Sequence, residues 1–218
     1  MNQMEDYIIS AEKKWLDKLS DYCKILFSDT HIPSHDHTHH LRVWEYAKEI
    51  IQALSKSNKI DEELIESCLI ASLFHDTGLA KTLEENHGHE SRKICELYFK
   101  ENRISKPVNF EEILSAIEMH DDKNYKNSEN VKPDSVLTIL FCADDLDAFG
   151  KVGVIRYTEI YLLRGIKLVE LPNLVIKNLD KRFLNFEKNY KDFSDLYLKH
   201  KERYLFTRNF FEALQVEL

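Results

Sequence analysis

Glycine and proline are scarce in this chain, with 5 Gly and 4 Pro in 218 residues. Pro33, Pro107, Pro133 and Pro172 all fall between stretches of helical apolar spacing, so little interrupts long helices. Cysteine is also sparse. Cys23, Cys68, Cys95 and Cys142 form no CxxC pair and lie among apolar residues, which excludes a zinc knot or disulfide framework and reads as reduced core thiols. No run of five basic residues is present and the formal net charge is −8, which excludes a broad electrostatic footprint for duplex nucleic acid. A local basic pocket for a small phosphorylated ligand stays compatible with that balance. The longest uncharged apolar stretch, 135–143, is too short to cross a bilayer, and residues 1–14 carry charges throughout without the apolar centre of a signal peptide. The expectation is a soluble cytoplasmic protein with no membrane partner.

What the chain does have is helical periodicity. Hydrophobic residues make up 43%, and no block changes character, so one core and one all-α domain over 1–218 are expected. Apolar spacing of three and four residues predicts helices near 4–27, 38–57, 61–76, 88–102, 110–120, 134–148, 151–163, 174–190 and 192–216. No alternating strand pattern survives. The second stripe, Val43, Tyr46, Ala47, Ile50, Ile51 and Leu54, extends one turn back onto His39. The third, through Leu64, Ile65, Cys68, Leu69 and Ser72, arrives at His75 and Asp76, with Gly78 expected to end it. The fifth reaches His120 from Ile113 and Ile117, and the sixth reaches Asp144 from Leu137, Leu140 and Phe141.

Four helices thus offer a His or Asp on an inward face. A buried carboxylate is costly unless paired or metal-bound, and a divalent cation would serve both Asp76 and Asp144. Taken singly, His39 or His120 is more often a hydrogen-bonded core histidine, and Asp144 could cap a helix or pair with Arg or Lys. Taken jointly, the four ligand-type groups favour a metal site.

These residues resemble the HD superfamily of metal-dependent phosphohydrolases, an all-helical family marked by a His, a later His-Asp doublet and a distant Asp. The run His35-Asp36-His37-Thr38-His39-His40-Leu41-Arg42-Val43 is similar to HDxxHxxRV, Leu73-Phe74-His75-Asp76-Thr77-Gly78 to LxHDxG, and Ala143-Asp144-Asp145-Leu146-Asp147-Ala148-Phe149-Gly150 to ADxLDAxG. Continuation through Gly153 and Arg156 follows GxxGxxR, as in small stand-alone bacterial members, where Asp often stands in place of Cys142. The resemblance covers about 33–157, with helices over 170–218 expected to pack on that core. It implies His39, rather than His35, with His75, Asp76 and Asp144 as metal ligands, and a helical bundle of the HD type.

Two imidazoles and two carboxylates suit Mn, Mg, Fe, Co, Ni or Zn without choosing among them, and one ion is favoured over two. Such an ion acidifies a water and polarises a phosphoryl oxygen, so hydrolysis of a phosphate ester or anhydride follows; a nucleotide as substrate comes from the resemblance alone. Arg42, Lys81 and Arg92 are candidates for phosphate charge, Arg42 equally for holding Asp36 or Asp147 beside the site. His87, with Ser91, and His120 resemble second-metal positions of dinuclear members, and otherwise serve substrate binding or proton transfer. Glu90 reads as an ordinary acidic residue of a helix start. His31, His35, His37 and His40 are expected in or beside an exposed loop. Arg156, Tyr157 and the aromatics Phe183, Phe186, Tyr190, Phe193, Tyr197, Tyr204, Phe206, Phe210 and Phe211 read as helical packing. The alternatives are a di-iron oxygenase, which needs His87 and His120 on iron, and a non-catalytic metal-binding sensor. A homodimer is compatible with the sequence.

Overall fold

The computed structural model describes residues 3–30, 34, 36–82, 87–122 and 132–218, and His31, Pro33 and His35 lie outside them. Among the described residues there are nine α-helices and no strand, as the all-α reading expects. They are α1 (Gln3–Leu26), α2 (His37–Leu54), α3 (Glu62–Phe74), α4 (His87–Glu101), α5 (Phe110–Met119), α6 (Val136–Asp147), α7 (Gly150–Leu163), α8 (Leu171–Tyr190) and α9 (Ser194–Glu217), with a 3-10 turn at Thr77–Ala80. The chain forms two compact units, Met1–Ala143 and Asp144–Leu218, and the boundary falls inside α6.

In the first unit α3 is the central helix. Every residue from Ser67 to Phe74 is buried, and a helix that is apolar on all sides needs cover on all sides. Helices α1, α2, α4 and α5 pack around it. Each fully buried large apolar side chain contributes roughly 1.5–3 kcal/mol, against about 1 kcal/mol for a neutral hydrogen bond, so this packing dominates. Polar ties then fix the register. Trp15 Nε1 donates to Glu66 of α3 (2.6 Å), while Trp44 Nε1 and Lys48 Nζ of α2 both donate to Glu12 of α1 (2.8 Å each). The Asp36 carboxylate caps α2 through the Thr38 amide, and Asp61 caps α3 through the Leu64 amide. All four cysteines are buried free thiols, and burial pushes Cys23 up to about 12.

In the second unit α9 packs on α7 and α8. Phe183 stacks on Tyr204 with centroids 4.0 Å apart, and Phe186, Tyr190 and Phe211 are buried as expected. Phe206 and Phe210 depart from the packing reading, with 45% and 44% of their surface exposed. Each precedes a buried residue, Thr207 and Phe211, and so points about 100° away from the inward face. Gly150 opens α7 at φ +81, a backbone state that favours glycine, and its amide donates to Thr207 Oγ1 (2.7 Å).

Candidate metal centre

Helix ends deliver the ligand-type residues of the first unit. His39 sits in the first turn of α2, His75 is the residue after α3, Asp76 leads into the 3-10 turn, His87 opens α4, and His120 follows α5. Neighbours on a helix diverge by about 100°, which would part His75 from Asp76. The helix stops first: Asp76 takes φ −101, ψ 8, and both side chains turn to one point. Gly78 therefore lies inside the 3-10 turn, four residues past the end of α3, instead of capping it. Its amide donates to Ser91 Oγ (2.8 Å), tying the turn to α4 behind His87.

Asp76 is the hub. Its Oδ2 lies 3.1 Å from His39 Nε2 and 3.5 Å from His75 Nε2, and those two nitrogens are 3.1 Å apart. Its Oδ1 lies 2.8 Å from His87 Nε2 and 2.9 Å from His120 Nε2, which are 3.2 Å apart. Two triads thus share one carboxylate, one oxygen to each, and all five residues are buried.

The ring protons in these triads define the kind of ligand the site suits. His75 Nδ1 donates to the Ser72 carbonyl (2.9 Å), and His120 Nδ1 to that of Ile117 (2.6 Å). A carbonyl only accepts, so the proton of each neutral ring is on Nδ1 and its Nε2 presents a lone pair. Lone pairs then face a carboxylate, an arrangement that calls for positive charge between them. Extra protons are a poor source, because burial, opposed by Asp76, holds His75 well below the ordinary imidazole value. Burial disfavours charge on Asp76 too, and what holds the carboxyl well below its usual range is positive charge at the surrounding histidines; with the rings neutral, that charge is left for a cation to supply. A metal cation suits this donor set. Ligand atoms about 2.1 Å from an ion stand about 3.0 Å apart in octahedral and 3.4 Å in tetrahedral coordination. The donor separations just given, from 2.8 to 3.5 Å, match that spacing.

Asp144, near the end of α6, is buried in the second unit within a cluster of charged groups. Arg182 Nη1 donates to Asp145 Oδ1 (2.8 Å) and Asp144 Oδ2 (3.3 Å), and Arg156 Nη1 donates to Asp147 Oδ2 (3.0 Å). Arg156 is thus an ion-pair partner, correcting its reading as packing; Tyr157 is buried and donates its hydroxyl to Asn178 (2.8 Å). Asp147 is fully buried beside Arg156. Arg42 donates to Thr38 Oγ1 (2.9 Å), whose own hydroxyl donates to Asp36 (2.6 Å), so it reaches the α2 cap through one side chain. Lys81 is exposed just after the 3-10 turn. Arg92 holds Glu118 (2.9 Å), Glu111 (3.2 Å) and Glu96 (3.4 Å), which commits it to the α4–α5 surface instead of phosphate. Glu90 pairs with Lys93 (2.7 Å), in keeping with its helix-start reading.

His40 corrects the loop expectation most clearly. It is fully buried in α2, with ring centroids 5.1 Å from His75 and 5.4 Å from Phe27, and burial pushes it down to about 3. Arg182 was given no role from sequence. The signal was there: it falls among Val175, Leu179, Phe183 and Phe186 of α8, all buried, where an arginine needs a carboxylate.

The HD domain family matches residues 37–148, just over half of the chain, from the first residue of α2 to the residue after α6. No curated protein and no solved structure matches. With its all-helical fold and buried His/Asp cluster already described, the chain belongs to the HD domain family.

Proposed function

We propose that this protein is a metal-dependent phosphohydrolase that cleaves a phosphate ester or anhydride of a small metabolite, with nucleotides the first class to test. The observation that carries the reading is the convergence of His39, His75, Asp76, His87 and His120 around one buried carboxylate at metal-ligand spacing. The primary ion is assigned to His39, His75 and Asp76, with Asp144 as fourth ligand on the strength of the ADxLDAxG motif. A divalent ion there supplies an acidified water and polarises a phosphoryl oxygen.

The chain's own groups do the rest. Backbone carbonyls of Ser72 and Ile117 lock the His75 and His120 rings, so each meets the centre through Nε2 alone. His87 and His120 either hold a second ion with Asp76 Oδ1 or bind phosphate and move a proton at Nε2. Arg42 and Lys81 are the cations assigned to substrate phosphate. Arg42 is partly buried at the start of α2, three residues from His39, and its planar fork suits phosphate oxygens.

The test is phosphate release from a panel of nucleotides and sugar phosphates, after chelation and separate re-addition of Mg, Mn, Fe, Co, Ni and Zn. Release restored by a divalent ion is the expected result. Silence across the panel by protein shown to hold metal would contradict it. The second triad also suits a di-iron oxygenase, the one competing activity with an observation behind it. An iron chromophore with oxygen consumption, in place of phosphate release, would establish that reading.

A further inference from the structure

Arg182 stands beside the buried Leu179, Phe183 and Phe186 of α8, with its side chain 14% exposed. An arginine held in such a position is fixed by its partners, and these form a chain. Tyr157 of α7 donates its hydroxyl to Asn178 Oδ1 (2.8 Å), the same oxygen accepts from Arg182 Nε (2.9 Å), and Arg182 Nη1 donates to Asp145 Oδ1 (2.8 Å) and to Asp144 Oδ2 (3.3 Å). Asn185, one turn along α8, adds a weaker bond to the other Asp145 oxygen (3.4 Å).

The lengths of these bonds differ in an informative way. The short, strong bond of Arg182 goes to Asp145, and the short bond of Arg156 goes to Asp147 (3.0 Å). Both guanidiniums reach Asp144 at greater distance, 3.3 Å from Arg182 and 3.7 Å from Arg156. Each arginine is therefore anchored on a neighbouring aspartate and only oriented towards Asp144. The bond to Asp145 fixes the guanidinium, and its second contact at 3.3 Å holds one oxygen of Asp144 in a set orientation.

We infer that Arg182, supplied by the C-terminal α8, is a positioning residue for Asp144 as a metal ligand. The inference rests on the assignment of Asp144 made under Proposed function. Within the second unit Tyr157 and Asn178 aim the guanidinium, Asp145 anchors it, and Asp144 is turned by it.

Mn(II) binding to the full chain, followed by the electron paramagnetic resonance signal of free Mn(II), tests this with four proteins: wild type, Asp144→Asn, Arg182→Met and Arg182→Lys. The melting temperature of each is recorded alongside. Arg182→Met is expected to weaken Mn(II) binding about tenfold or more, and Arg182→Lys, which keeps the positive charge but loses the guanidinium Nε bond to Asn178, by less. A purely structural arginine would lower the melting temperature and leave the dissociation constant of the folded protein alone. Mn(II) dissociation constants within about twofold of wild type in both Arg182 variants overturn the inference. If Arg182→Met does not fold, Arg182→Lys decides by the same criterion. Unchanged binding in Asp144→Asn removes the ligand assignment itself, and the inference with it. Weakened binding in Asp144→Asn with normal Arg182 variants removes only the positioning role.

Discussion

Asp76 brings a single carboxylate within 3.5 Å of four imidazole nitrogens in a buried site, and its removal reads out the whole centre. Asp76→Ala is expected to lose bound metal and metal-dependent turnover by more than the roughly 100-fold upper end seen for residues that merely support ligands. Most helicity should remain, because the Asp76 side chain makes no capping bond to the 3-10 turn it leads into, and its backbone carbonyl, which accepts from the Leu79 amide, is kept by alanine. Metal analysis, turnover and circular dichroism check this on one preparation; full metal-dependent turnover by the variant would contradict it. At this scale the sequence was legible where a residue type broke an apolar stripe. His39, His75, Asp76 and His120 were found that way. His40 was not, because a crowd of histidines near Pro33 suggested a loop. Once α2 begins at His37, position 40 lies on the same inward stripe as Val43, Trp44 and Ala47.

Between elements, close approach decides whether the second triad exists. A Cβ on Gly88 would stand 2.5 Å from the Glu118 carbonyl oxygen, so α4 meets α5 there only with glycine. The Gly88 amide also donates to Asp121 Oδ2 (3.0 Å), beside His120. Gly88→Ala is expected to push α4 off α5, cost about 1–3 kcal/mol, and carry His87 away from His120 and Asp76 Oδ1. Thermal unfolding and Mn(II) titration check it: the melting temperature falls, the ion at His39, His75 and Asp76 stays, and any second ion is lost. An unchanged melting temperature would mean that the helices give way at no cost. Helix positions were legible to within three residues at every end. The 3-10 turn after α3 was not, because Gly78 carries the usual signal of a helix stop and the turn is set by contacts to Ser91.

For the molecule as a whole, the division inside α6 left no mark in the sequence. No glycine or proline interrupts 136–147, and composition is even across it. The all-helical class was legible because low glycine and proline content and the 3.6-residue period agree along the full length. The substrate was not, because a cation-binding cluster specifies a reaction type and says little of the group attached to the phosphate. A centre that binds its ion only when folded should also stabilise the protein. At a free concentration 100 times the dissociation constant the gain is about 2.7 kcal/mol, or roughly 5–10 °C in melting temperature for a chain of this length. Scanning calorimetry of chelated protein, with and without Mn(II), checks this, and the increment should vanish in Asp76→Ala.

The central claim is that the buried histidines and Asp76 form a metal centre, and the most direct test is an anomalous difference map from crystals of the full chain saturated with Mn(II). The account predicts a peak bonded to His39, His75 and Asp76, with a second peak, if present, at Asp76, His87 and His120. Protein with metal-dependent turnover whose crystals show no anomalous density at either triad would contradict it.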